Sequence, residues 1–464
     1  MKKFYHKLSC LLLLFLFAMS ANNGKAVPQK FTSVFACNFD MLKDKFASVQ
    51  PQAATLASFE KEDVNNDGVV NSADVVAVYN FILLGTDSGA SKKLVDVNDD
   101  DQVNSADITS IYNKIMSPKL LYENLIICNE GNWQSDNGQL SFLDGSTNKV
   151  TNKWFREKNG IKLGDTPNDI LQVNDSLIVI AINWSNIVQY IRPDGTACGA
   201  TEDVPNNRRM CSDGEYLYLT SYAHKCGDKT FTKGYVAKID LVTKKVVATC
   251  EVGWEPEGVR LYKGRLYVAN TGGYAFSEKH DYETTVSVID SKTMTVTTQI
   301  ETGCINLYGE MSQAGRYLCI NSCGDYYNVK PKTVILDCET NTVQTLDFAC
   351  TYNTTDGKYF YTVGSDYSYI TGQYQYCVNT INPATMEVTK GVYNDVVTQK
   401  LYDLTSPYEI YISPYTGNIY FTDAGSYATA GRLYGYNKAG EELFKPQKVY
   451  INPAHIIALP VYEK

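Results

Sequence analysis

Histidine is scarce in this chain: the 464 residues hold four, alongside four Trp, which argues against a His-rich metal enzyme. Basic charge is also short, with 42 Lys and Arg against 51 Asp and Glu for a net −9. No basic stripe interrupts the sequence, so neither nucleic acid nor an anionic membrane surface is expected as the main partner. The longest apolar run, Leu11–Ala18, falls short of the ~20 residues of a membrane-spanning helix. No Cys-x-x-Cys pair, Gly-x-Ser-x-Gly elbow or His-Glu-x-x-His helix occurs, which removes the usual local signatures of structural zinc, α/β-hydrolase and metalloprotease sites. Tyr is abundant at 35, in a chain that is 44% hydrophobic, a globular composition.

The N-terminus reads as an address. Lys2, Lys3 and Lys7 precede the apolar run, and Ala18, Ser20 and Ala21 follow it, the order of a Sec signal peptide over residues 1–26. Its removal takes four Lys and no acid, moving the net charge from −9 to −13. Cys10 lies before the run and Cys37 well after it, so a lipid anchor is not expected, and the mature chain is secreted, periplasmic or at the cell surface. An oxidising compartment permits disulfides. Most of the Cys sit inside strand-like apolar words such as Tyr317-Leu-Cys-Ile320, where a thiol also serves as a small hydrophobe, and the sequence decides no pairing. Residues 27–59 carry a few helical signals and no motif.

Two 12-residue loops follow. Residues 63–74 and 96–107 place side-chain oxygens at positions 1, 3, 5, 9 and 12: Asp63, Asn65, Asp67, Asn71 and Asp74, then Asp96, Asn98, Asp100, Asn104 and Asp107. Val69 and Gln102 offer position-7 carbonyls. Calcium takes six to eight hard oxygens, and a tight loop of this length converges them. The loops lie 33 residues apart, share the ending Asn-Ser-Ala-Asp and run into matching helices. Residues 60–117 carry 11 acids and four Lys, a density that repels itself without cations. Two calcium ions are therefore expected.

With Asp at position 12 and one helix after each loop, residues 60–117 resemble a type I dockerin, the module that docks on cohesins. That likeness assigns partner choice to Ser72, Ala73, Tyr79 and Asn80 and to Ser105, Ala106, Tyr112 and Asn113. A cohesin-like or intramolecular docking partner and a partnerless calcium-stapled spacer both fit.

After Pro118 the chain turns to short β-rich words split by Asp-Gly, Asn-Gly and Gly-Gly turns. One word recurs seven times, at Leu140–Asp144, Val188–Arg192, Val236–Asp240, Val286–Asp290, Thr333–Asp337, Val378–Asn382 and Leu433–Asn437. A period near 48 residues with four strands per unit predicts an all-β, seven-bladed β-propeller over residues 119–464, preceded by the small all-α calcium module. Pro opens units at Pro167, Pro256 and Pro407, and Pro453–Pro460 supplies one more such strand, which the first unit lacks. Pairing of the two ends in one blade is expected.

The words Glu255-Pro-Glu-Gly258, Gly264–Gly273 and Thr285–Asp290 resemble YncE and surface-antigen propellers. Asn129–Trp133 and Gly164–Pro167 look like the BtuG type, whose members capture cobalamin. The loops after each second strand carry Trp133, Trp184, Tyr222, Tyr274, Tyr326 with Tyr327, Tyr367 and Tyr427, each beside Asn, Ser, Asp or Gly. Arg208 and Arg209 add a cationic contact. Aromatic bodies with polar tips suit a large flat or sugar-like ligand, a corrinoid by the resemblance or a glycan. His224, His280 and His455 read as isolated, and Glu130, Glu255, Glu257, Glu310 and Asp423 as carboxylates that could meet near the axis. The expectation is an exported, non-enzymatic ligand-binding propeller. The alternatives are a dockerin-bearing polysaccharide lyase or hydrolase, or a structural propeller that binds other proteins.

Overall fold

The computed structural model describes residues 61–463 apart from 66, 68, 89–90, 227, 229–231, 276–279 and 369–372. The signal-peptide reading and residues 27–59 lie outside the described residues. The chain divides into two compact units, with the boundary between Lys119 and Leu120. Among the described residues no helix is long and apolar enough to cross a membrane.

The first unit is built on helices α1 (Ser72–Leu84) and α2 (Ser105–Met116), with one helical turn, Lys92–Val95, between them. Both helices begin with the same device. Asn71 and Asn104 cap the helix N-terminus, and Asp74 and Asp107 reach back to the cap backbone, so two orphan N–H groups are satisfied reciprocally. Val64, Val78, Val95, Val97, Ile108 and Ile111 close the core between the helices.

The second unit is seven four-stranded antiparallel sheets. Blades 2 to 7 span residues 167–201, 207–251, 256–301, 311–346, 352–390 and 407–451. Blade 1 joins Leu120–Asn129, Gln139–Asp144 and Lys149–Thr151 to the C-terminal strand Pro453–Tyr462. That last strand is innermost and pairs antiparallel with the first, Leu125 opposite Ala458 and Ile127 opposite Ile456. The ring is thereby closed without a free inner edge. Every recurring word lies on the third strand of its blade, and Pro167, Pro256, Pro407 and Pro453 each open an inner strand.

One apolar cluster fills each of the seven blade interfaces, with Ile, Val and Leu from strand centres on both sides. The seam between blades 7 and 1 also carries a buried carboxylate. Glu123 accepts from Tyr420 Oη at 2.6 Å and Thr416 Oγ1 at 2.7 Å, and from Ser413 Oγ. The eleven described cysteines are free thiols.

Candidate calcium loops and propeller face

In each acidic loop the backbone draws the oxygens together. Asp67 N donates to Asp63 Oδ1 at 3.1 Å and to Asn65 Oδ1 at 2.9 Å, which sets positions 1 and 3 side by side. Asp74 accepts from Asn65 N at 3.1 Å and Asn71 N at 2.9 Å, so position 12 spans the loop. The second loop repeats this: Asp100 N donates to Asp96 and Asn98, and Asp107 accepts from Val97 N and Asn104 N. Asp101, where the first loop has Gly68, takes φ +63°, and Asp tolerates that region better than most residues. Position 9 serves mainly as the helix cap: Asn71 and Asn104 accept from Ala73 N and Ala106 N, each at 2.8 Å. Burial lifts the Asp74 carboxyl above its ordinary range, the charges of Asp63 and Asp67 add to this, and N–H bonds from Asn71 and Asn65 oppose it. Convergent hard oxygens with mutual repulsion suit a calcium ion, and Asp63, Asn65, Asp67 and Asp74, with their counterparts in the second loop, are the residues that could hold one.

On the propeller, the loops after each second strand and the connections into each inner strand open on one face. Inner-strand residues meet at the axis beneath it. Arg208 Nε donates to Glu257 Oε1 at 2.7 Å, its Nη2 to Tyr308 Oη at 3.2 Å, and its guanidinium lies 5.1 Å from the Tyr222 ring centre. Tyr222 Oη donates to the same Glu257 oxygen. A cavity of about 440 Å³ sits over this group, lined by Arg208, Tyr222, Tyr274, Tyr308 and Tyr326, with Glu255, Gly273 and Asn306.

A second layer lies deeper in the axis. Arg209 Nε stands 3.8 Å from Glu257 and 3.9 Å from Glu310, and its Nη1 bonds Asn168 O and His455 Nε2. Arg260 pairs with Glu310, and His455 Nδ1 lies 3.2 Å from Glu409. Burial, then the Glu310 charge, raises Asp169 to about 7. Burial acts the same way on Glu310, but Arg260 and Arg209 override it and hold that carboxyl down to about 2. Burial and Arg209 push His455 down to about 3. Asp169, Glu310 and His455 offer three ligand atoms within 4.8 Å of one another. Arg209, bonded to His455 and beside Glu310, already supplies the positive charge there.

Several sequence expectations divide at this point. Arg208, Tyr222, Tyr274 and Tyr326 come together around the cavity, although Tyr222 is packed beneath Arg208 and only 3% exposed. Trp133, 64% exposed, meets Trp184 edge-on at 5.1 Å, a separate aromatic corner. Tyr427 packs edge-on against Tyr408, which donates to Glu130. Tyr327 is exposed. Tyr367 belongs to a strand of blade 6. The histidines are not isolated: His455 is in the hub, His280 stacks on Trp254 at 4.3 Å beside Glu255, and His224 lines a neighbouring cavity. Asp423 is a loop latch, accepting from Thr405, Ser406 and Gly425 N–H groups. Tyr308, Glu409 and Asp169 were not anticipated, although aligning the second and third residues of each inner strand would have found the last two.

Residues 61–116 match the dockerin type I domain. Such domains generally bind calcium, and a dockerin implies a cohesin-type partner. No curated relative matches the sequence. Solved structures similar to the chain include a quinonprotein alcohol dehydrogenase-like protein from Bacteroides thetaiotaomicron VPI-5482, at 12% identity over 72% of this chain and 78% of that one, TM-score 0.49. The periplasmic gluconolactonase of Pseudomonas aeruginosa is 13% identical over 73% and 99%, TM-score 0.49. Apo AztD from Citrobacter koseri is 11% identical over 75% and 100%, TM-score 0.43. At these values they say nothing about ligand or reaction. The two helices of the dockerin module also differ at their C-terminal ends. Beyond Asn80 the first helix continues into exposed Leu83 and Leu84, whereas the second carries Lys114 before Met116.

Proposed function

We propose that this protein is an exported ligand-capture propeller carried with a dockerin module that binds two calcium ions and docks on a cohesin-type partner. The observation that carries the reading is the cavity over Arg208, where Tyr274, Tyr308 and Tyr326 present rings and hydroxyls above an ion pair. Such a mostly aromatic pocket with a few fixed polar groups is the ordinary form of a small-molecule site. Binding is favoured over catalysis because the axial carboxylates are engaged: Glu257 by Arg208 and Tyr222, Glu310 by Arg260, Glu130 by Tyr408. None of these three is left free as a general acid or base, and Glu255, which also lines the cavity, lies 3.4 Å from His280 Nε2.

Corrinoids are the first ligands to test, given the BtuG-like words in blades 1 and 2, with glycans second. Isothermal titration of the calcium-loaded chain with cobalamin and cobinamide reads this directly. Heat at micromolar protein supports corrinoid capture, and a flat titration removes it. Release of glycan products that is abolished by Glu257→Gln or His224→Ala points instead to a dockerin-bearing lyase or hydrolase.

A further inference from the structure

The seven blade interfaces are not equally apolar. Among the described residues, six of them bury between nine and thirteen hydrophobic residues in their clusters. The seam between blades 5 and 6 buries six: Ala314, Cys319, Ile335, Cys350, Phe360 and Ile381. A smaller apolar core gives less stabilisation, and in a closed ring the weakest seam is where opening starts. Two of those six residues are thiols, fully buried, with Cys319 Sγ 3.9 Å from Cys350 Sγ. Cys319 lies on the second strand of blade 5, and Cys350 in the connection to the inner strand of blade 6. Asn321 Oδ1 accepts from Cys350 N at 3.3 Å and holds that connection against blade 5. Nearby thiols are turned elsewhere: Cys377 Sγ meets Ala349 O at 3.4 Å, and Cys323 Sγ accepts from Asn321.

We propose that Cys319 and Cys350 form a disulfide in the exported protein, a covalent stitch across the least apolar seam of the propeller. It rests on the export included in the reading above. Each sulfur needs to move by about 1 Å to reach bonding distance. The chemistry is thiol–disulfide exchange with a disulfide-bearing oxidant of the secretory compartment. One thiolate attacks the oxidant's S–S bond and forms a mixed disulfide, releasing one oxidant thiol. The other thiolate then attacks the protein sulfur of that mixed disulfide, forming Cys319–Cys350 and releasing the second oxidant thiol. The two cysteines lose two electrons and two protons together, and the oxidant is reduced to two thiols. Because both sulfurs are buried in the folded ring, exchange belongs to the folding chain.

The test is a thiol map of the full chain directed into the oxidising periplasm of an expression host, so that its result does not depend on native export. The protein is denatured in N-ethylmaleimide and digested. The expected result is a cross-linked peptide pair joining Cys319 and Cys350, resolved by reductant into two newly alkylatable peptides. Alkylation of both cysteines without reduction overturns the proposal, as does linkage of Cys350 to Cys323 or Cys377. As a second reading, reductant is expected to lower the propeller's unfolding midpoint by several degrees in the wild type and to leave Cys319→Ser/Cys350→Ser unmoved. An intact cross-link in a chain that binds no corrinoid overturns only the ligand reading.

Discussion

Arg208 Nε and Glu257 Oε1 are 2.7 Å apart at the floor of the cavity, and the carboxylate is fully buried. The pair links blade 3 to blade 4, and the Tyr222 ring lies against the guanidinium. Removing one partner of a buried ion pair leaves an uncompensated charge, which costs about 3–5 kcal/mol. Arg208→Ala is therefore expected to destabilise the propeller by about 3 kcal/mol, read as a shift in denaturant midpoint. Arg208→Lys is expected to recover only part of this, because an ammonium cannot reproduce the fork that reaches Glu257 and Tyr308 together. A loss below about 1 kcal/mol for the alanine variant contradicts the assigned role.

The deeper hub makes a pH prediction in which two slopes oppose. His455 sits near 3 in the fold against an ordinary 6.5, so its contribution is present above pH 6.5 and lost as pH falls toward 3. Asp169 sits near 7 against 3.8, so its contribution is full below pH 3.8 and lost as pH rises through 7. Each changes stability by up to about 1.4 kcal/mol per pH unit. Between pH 4.5 and 6.5 these two slopes oppose, but burial also raises Glu409, beside His455, and Glu130, so the wild type is expected to lose stability as pH rises. His455→Asn should steepen that fall, and Asp169→Asn should lessen it. Thermal midpoints at pH 4.5, 5.5 and 6.5 check both signs. Glu310, near 2 against 4.5, adds a loss below pH 4.5 in all three proteins.

The proposed calcium sites predict that calcium acts on the dockerin module alone. A ligand that binds only the folded form stabilises it by mass action, so calorimetry of the full chain should show a chelator-sensitive transition and a propeller transition that EDTA leaves in place. Asp107→Ala, which removes the carboxylate spanning the second loop, should depress the first transition and leave the second. Simultaneous loss of both transitions in EDTA contradicts independent units.

Closure at blades 7 and 1 depends on Glu123, whose carboxylate serves hydroxyls of Ser413, Thr416 and Tyr420. Glu123→Ala leaves those buried donors unmatched at about 1–3 kcal/mol. Hydrogen exchange should quicken first in the paired strands Leu120–Asn129 and Pro453–Tyr462. Uniform quickening around the ring contradicts a local latch.

Much of the ring was legible because its recurring word ends in a residue with a mechanical task. Asp144, Asp240, Asp290, Asp337 and Asn382 each turn their side-chain oxygen onto an N–H two or three residues on and fix the turn to the outer strand. That task repeats in five of the seven blades, so the residue type repeats there, whereas the word of blade 2 ends in Arg192 and Asn437 of blade 7 accepts from Glu441 N, four residues on. The hub was illegible for the opposite reason. Its inner-strand positions carry Asn168 and Asp169, Arg208 and Arg209, Glu257 and Gly258, Tyr408 and Glu409, Ala454 and His455, different in every blade because they complement one another across the axis. Arg209 meets His455 across 246 residues, a contact created only by closure. The loop aromatics were visible as a set, but Tyr308 was not, because it stands in the connection into an inner strand. The dockerin module was readable because each acidic loop is a local 12-residue motif, and the dockerin type I match covers both.

The most direct test of the central claim, that ligand is held in the cavity over Arg208, is a paired titration of calcium-loaded wild type, Tyr274→Ala and Tyr326→Ala with cobalamin, with Tyr415→Ala on the opposite face as control. The account predicts binding to wild type and Tyr415→Ala, and at least about tenfold weaker binding to both cavity variants, the ~1.4 kcal/mol of one lost aromatic contact. Equal affinity in all four proteins, or no binding to any, contradicts it.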